Sequence, residues 1–299
     1  MSAATLPAVR NTSRFALVRR RFLRHPLALV GGVMLVILLL IAYVLPLLLP
    51  YRPADLDPDL AQSLVGPNPR HWFGTDQIGH DLLAQCVSGL QKSLLIGFVA
   101  ALASTGIAAL VGSIAGYFGG WSDRVITVVI DLLLVLPSFL IVAIISPAIQ
   151  GVSFVLLALV IAAFNWMITA RVVRGLAIAL RDREYVESAR YMGVGADTII
   201  RTHLLPNMAS LLIVDATLNV GGAILAETGL SYFGFGIQAP DVSLGTLIAV
   251  GTSGPSLTSS PWLWLFPGAL IVATVLSVNF LGDAMRDAID ANSTRGARR

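Results

Sequence analysis

Five stretches of this 299-residue chain, residues 26–51, 93–122, 132–170, 216–226 and 242–282, contain no Asp, Glu, Lys or Arg. Crossing the hydrocarbon core of a bilayer takes about 20 apolar residues. No water is there to satisfy backbone N–H and C=O groups, so each segment must bond itself and the expected element is the helix. Composition agrees, with 56% hydrophobic and 12% charged residues where soluble domains carry about 25% charged. The runs resolve into six helices near 27–50, 93–116, 125–147, 153–170, 208–230 and 263–283. The expected fold class is an all-α integral membrane protein with six transmembrane helices. Its expected parts are a basic tail over 1–26, a first helix over 27–50, an external segment over 51–92, a five-helix core over 93–290 and a tail over 291–299.

The basic residues set an orientation. Arg10, Arg14, Arg19, Arg20, Arg21 and Arg24 precede the first helix, and Arg171, Arg174, Arg181, Arg183, Arg190 and Arg201 lie between the fourth and fifth. With Arg124, Arg286, Arg295, Arg298 and Arg299 they make 17 of 20 cationic residues on one face; only Arg52, Arg70 and Lys92 fall on the other. Excess positive charge marks the cytoplasmic side, so both termini and the 171–207 loop are expected there. The net charge of +3 then fits topology and anionic lipid headgroups and calls for no nucleic acid. The first apolar run exceeds the 7 to 15 residues of a signal-peptide core and reads as a retained helix, which makes the twin-arginine look of Arg19-Arg20 a coincidence.

Scarce charge concentrates in the loop around 183–206. Read as a helix, Tyr185, Ala189, Met192 and Gly193 share one stripe while Arg183, Glu187 and Arg190 form a charged side. Gly193 lets the backbone turn or approach a neighbour, and Pro206 suits the start of the next helix. Such a loop either touches a soluble partner or is simply solvated. The pattern Glu187-x-Ala189-x-x-x-Gly193, followed by Leu205-Pro206, resembles the coupling loop of permease subunits in bacterial ATP-binding-cassette importers. Ser188 and His203 depart from it, where that family has Ala and Ile; His203 bears on local packing.

Three more stretches extend the likeness. Phe73-Gly74-Thr75-Asp76-x-x-Gly79-x-Asp81, Glu227 to Gln238, and Asn279 to Asp290 resemble signatures of the C-type permease of the dipeptide, oligopeptide and nickel branch, with His80 where Arg is usual. The resemblance implies a type I importer permease fold in a bacterial inner membrane. It also implies the partners: a homologous B-type permease, two ATP-binding subunits carrying ATP and Mg, and an external substrate-binding protein, with no cofactor in this chain. It assigns ATPase coupling to Arg183, Glu184, Tyr185, Glu187, Ser188, Ala189, Met192, Gly193, Leu205 and Pro206. The implied cargo is a peptide, with nickel chelates and glutathione as alternatives.

Candidate chemistry is sparse. Lys92, the only Lys, follows Gln91 and belongs to no G-x-x-x-x-G-K-[ST] phosphate loop, so this chain is not the ATPase. Cys86 stands alone, which excludes an internal disulfide and a Cys-rich metal site. Gly251-Thr252-Ser253-Gly254 looks like an intramembrane protease motif, but no His follows His203 to serve as base, so Ser253 reads as a loop residue. His71, Asp76, His80 and Asp81 are read as an ordered external segment with carboxylate-to-backbone bonds in preference to a metal site. A stand-alone channel or carrier and an intramembrane hydrolase remain the alternatives from other functional classes.

Asp131 and Asp215, placed in the first two turns of their expected helices, would each cost about 2.5–3.5 kcal/mol at a helix centre and must face protein or water. Together with Asn219 they are candidates for the translocation path or its gating; interhelical bonding is the plainer reading, as it is for Asn165. Ser104, Ala108, Gly112 and Gly116 form a small-residue packing stripe. Pro137 is expected to kink the third helix, and Trp262 and Trp264 suit an outer aromatic belt.

Overall fold

A computed structural model of the chain describes residues 22–23, 25–56, 64–149, 153–254 and 256–296. Arg10, Arg14, Arg19, Arg20, Arg21 and Arg24 of the expected basic tail, with Arg298 and Arg299, lie outside the described residues. Among those described, every regular element is helical, and Leu56–His80 and Thr75–Asp81 are isolated bridges.

Helix α1 spans Pro26–Tyr43 and passes into a single 3-10 turn, Leu45–Leu47, short of the expected end at residue 50. Pro46 stops it, because proline has no N–H for the Ala42 carbonyl. Gln91 donates its side-chain amide to that oxygen instead. Helix α2, Leu82–Phe118, starts eleven residues before the charge-free run that suggested 93. Asp81 sets the start: its Oδ1 accepts from the Ala84 N–H at 2.8 Å, an N-cap.

The third expected helix is two helices. α3 (Gly120–Val135) and α4 (Ser138–Ile149) meet at 83°. Leu136 is extended with ψ 129, as a residue preceding proline prefers, so Pro137 breaks the helix where a kink was expected. α5, Phe154–Arg181, runs eleven residues past the expected end at 170. Its arginines find partners there: Arg171 pairs with Asp131, Arg174 with Asp123, and Arg181 donates to the Gly116 carbonyl.

After the short helix α6, Glu184–Tyr191, comes α7, Ala196–Tyr232. The fifth expected helix began at 208 with Pro206 at its head; the observed one begins twelve residues earlier. Pro206 is accommodated by a wide π turn over Ile200–Leu204, which makes room for the ring against the preceding carbonyls. α8, Leu244–Gly251, opens with a capping box between Ser243 and Thr246, and α9 covers Trp262–Gly296. Among the described residues, five helices are long and apolar enough to cross a membrane, and the α3/α4 pair makes a sixth if it is one broken span.

α2 is the centre of the bundle, packed on α5 and α7, while α9 lies against α7 and α1. Lipid is as apolar as leucine, so close fit and dispersion hold such helices together. The small-residue stripe supplies that fit. A Cβ at Gly112 would lie 2.6 Å from the Ala170 carbonyl oxygen, and one at Gly116 2.6 Å from Ala177 Cβ.

Candidate functional site

α6 is held to the bundle by its inner face and leaves the other bare. Val186 and Ala189 are buried in a cluster with Tyr117 of α2, Val173 and Ala177 of α5, and Ile199, Leu204 and Met208 of α7. The stripe expected from spacing therefore splits: Ala189 packs inward with Val186, while Tyr185 and Met192 face out. The Arg190 guanidinium lies 5.6 Å from the Tyr117 ring centroid, a cation–π contact that ties the helix to the end of α2. Glu184 and Glu187 in the first turn and Arg190 in the last complement the helix dipole.

Gly193 ends α6 with φ +80. Its N–H reaches the Arg190 carbonyl at 3.0 Å and the Val194 N–H that of Ala189 at 3.1 Å, the paired bonds of a Schellman cap. No neighbour lies within 4 Å of a Cβ built there, so this glycine serves the turn and not a close approach within the chain. What remains outward is a rod bearing Glu184, Tyr185, Glu187, Ser188, Tyr191 and Met192, with Tyr191 83% and Met192 76% exposed. His203 sits in the π turn with its ring 6.1 Å from that of Tyr185, so the departure at this position is accommodated by an aromatic neighbour.

A second polar centre lies halfway along the 37-residue α7. Asp215 Oδ1 accepts from Thr169 Oγ1 at 2.8 Å, and Oδ2 accepts from Thr105 Oγ1 at 3.0 Å and Asn219 Nδ2 at 2.9 Å. It thus joins α2, α5 and α7. Because α3 and α7 begin earlier than expected, neither Asp131 nor Asp215 lies in a first or second turn. Asp131 is half exposed in its pair with Arg171 and apart from this hub.

At the opposite end from α6, Asp76 Oδ1 accepts the N–H groups of Ile78, Gly79 and His80 at 2.9 Å each. Its Oδ2 accepts from Gln85 Nε2 at 2.9 Å and faces His80 Nδ1 at 2.8 Å. Burial pushes the carboxyl upward, but the bonds from the His80 side chain and backbone, Ile78 and Gln85 outweigh it and hold Asp76 below the usual carboxylate range. The buried pair His71–Asp81, 2.8 Å apart, completes this ordered segment. Ser253 is exposed and donates to the Val250 carbonyl at 2.7 Å, a loop contact.

Residues 108–295 match the family described as binding-protein-dependent transport system inner membrane component, and residues 13–67 match the N-terminal TM domain of oligopeptide transport permease C. The chain belongs to the binding-protein-dependent transport permeases. It is a multi-pass inner-membrane transport component and not an enzyme. It is 53% identical over 288 residues to the oligopeptide transport system permease protein OppC of Mycobacterium tuberculosis, covering 96% of this chain and 97% of that one. Identity is 38% to a putative peptide permease protein of Brucella suis, over 96% of this chain and 93% of that protein. It is again 38% to the dipeptide transport system permease protein DppC of Alkalihalophilus pseudofirmus, over 89% and 86%.

In this permease, Arg183 to Gly193 form one compact unit, whereas Leu205 and Pro206 sit in α7 behind the π turn. Sequence reasoning missed Val186, the residue that anchors the rod; its signal was its place three positions before Ala189. It also missed Thr105 and Thr169, since a lone threonine in an apolar run carries no mark of its partner. Glu227 was quoted only within a signature. It is fully buried, accepting from Ser93 Oγ at 3.0 Å and Ser231 Oγ at 2.7 Å, and so ties α2 to the end of α7.

Proposed function

We propose that this chain is one of two homologous permease subunits of an ATP-driven peptide importer, joined by two ATPase subunits inside and a substrate-binding protein outside. ATP and Mg belong to the ATPases. The observation that carries the reading is α6, a rod clamped on α2, α5 and α7 with its polar and aromatic face open to a partner. Only Asp182 and Arg183 separate it from α5, and four residues separate it from α7, so a push on the rod reaches two membrane-spanning helices directly. The distribution of arginine supports a cytoplasmic rod and cytoplasmic termini. Peptide as the cargo is supported by the relatives, which are named for oligopeptide, dipeptide and peptide transport.

In this reading ATP closes the ATPase dimer, the rods follow, and the two permeases rock between inward-open and outward-open states. The test is the complete complex in proteoliposomes carrying Glu187→Arg, which reverses an exposed charge on the rod, or Gly193→Trp, which forces a bulky residue into a positive φ. Peptide-stimulated ATP hydrolysis is expected to fall by about tenfold or more in each, with rod contacts worth several kcal/mol at stake. Full coupling in both variants overturns the docking role.

A further inference from the structure

We infer that Asp215 and Asn165 form a mid-membrane station that holds the primary ammonium group and adjoining amide of a passing peptide; the inference rests on the peptide reading above. Asp215 is half-buried, and its three hydrogen bonds come only from neutral groups, Thr105, Thr169 and Asn219. No Lys, Arg or His among the described residues forms an ion pair with it, whereas Asp123 and Asp131 each have an arginine. A carboxylate kept at the centre of a span with no cation of its own has its charge unanswered, and a positively charged ligand answers it.

The helices place a second group beside it. α5 and α7 run antiparallel, joined through α6, and touch at Thr169 and Asp215. One turn from that contact, on the side away from α6, lie Asn165 on α5 and Asn219 on α7, each four residues from its neighbour and so on the same helix face. Asn219 is engaged with Asp215. Asn165 is half-buried, and its carboxamide has no hydrogen-bond partner among the described residues. A carboxamide both donates and accepts, which matches a peptide bond. A carboxylate for the amine and a carboxamide for the first peptide group thus lie within one turn of each other along facing helices. The neutral frame of Thr105 and Thr169 keeps the carboxylate in place without neutralising it.

The two sources of a primary ammonium, the N-terminus and a lysine side chain, are separated by experiment. The whole transporter with its receptor is reconstituted, and import is measured for trialanine, N-acetyl-trialanine and N-acetyl-alanyl-lysyl-alanine, each at a receptor-saturating concentration. The wild type is expected to favour trialanine over the acetylated form by about tenfold, the discrimination of one charge-assisted bond. Asp215→Asn is expected to bring that ratio near one by lowering trialanine import, and Asp215→Glu to restore it. Recovery with the lysyl peptide assigns the station to any ammonium; its absence assigns it to the N-terminus alone. Asn165→Ala, which breaks no hydrogen bond among the described residues, is expected to lower import of all three peptides several-fold with the preference retained. Equal loss of all peptides in Asp215→Asn, or unchanged import in Asn165→Ala, overturns the station while leaving the peptide reading intact. A wild-type complex that imports none of the three overturns both.

Discussion

At the scale of single residues, Asp76 shows how a carboxylate organises a segment that forms no helix and only isolated bridges. Five donors converge on its two oxygens and close the turn between residues 76 and 80. Its carboxyl titrates below the ordinary range because those donors outweigh burial. The unfolded chain therefore takes up the proton first, near the ordinary value of about 3.9. The stabilisation is complete above that value and is lost as pH falls through the lower folded one. Hydrogen exchange should show the amides of Ile78, Gly79 and His80 protected at neutral pH and progressively exposed below about pH 4. In Asp76→Asn the same amides should exchange faster at neutral pH, with the acid-dependent step gone; an unchanged acid step would assign it to another group. This role was legible because an Asp two to four residues before free N–H groups has few other uses. The role of Glu227 was not, since its partners Ser93 and Ser231 are ordinary polar residues in apolar helices.

At the scale of elements, the all-helical class and the order of the long apolar helices were legible, and their ends and the break in the third were not. Counting charge-free residues stopped α5 at 170 because it takes the first arginine as the end of the helix. Arg171 and Arg174 instead pair sideways with Asp131 and Asp123 of α3, a fact of tertiary contact. Likewise Lys92 in α2 meets Asp241, so a charge read as the edge of a span lies inside a helix. The small-residue stripe was legible, and its consequence can be measured. Gly116→Leu would put a side chain where the Arg174 carbonyl oxygen and Ala177 Cβ already lie at 2.6 Å. Overpacking of this kind costs about 1–3 kcal/mol, so the variant should melt earlier in detergent and yield less assembled complex. Gly175→Leu, with nothing within 4 Å of the new Cβ, should match the wild type. Equal stability of the two variants would mean that α2 and α5 are not held by this contact.

At the scale of the whole molecule, the two ends differ in kind. One carries the rod, the paired arginines of α5 and the cap at Gly193. The other carries the Asp76 turn, the buried His71–Asp81 pair and the Lys92–Asp241 contact. The proposed passage of force from one side to material arriving on the other requires these ends to face opposite compartments. The single native cysteine, Cys86, is fully buried and gives no background to a thiol probe. Tyr191→Cys and Ile78→Cys place a thiol at an exposed position on each end. A membrane-impermeant maleimide should label Ile78→Cys in intact cells stripped of outer layers and Tyr191→Cys only in inverted vesicles. The arginine bias and the proposed docking of the rod on cytosolic ATPases both require that order. Labelling of Tyr191→Cys from outside would reverse the orientation and put the rod out of reach of ATP-driven partners, even with every helix contact described above intact.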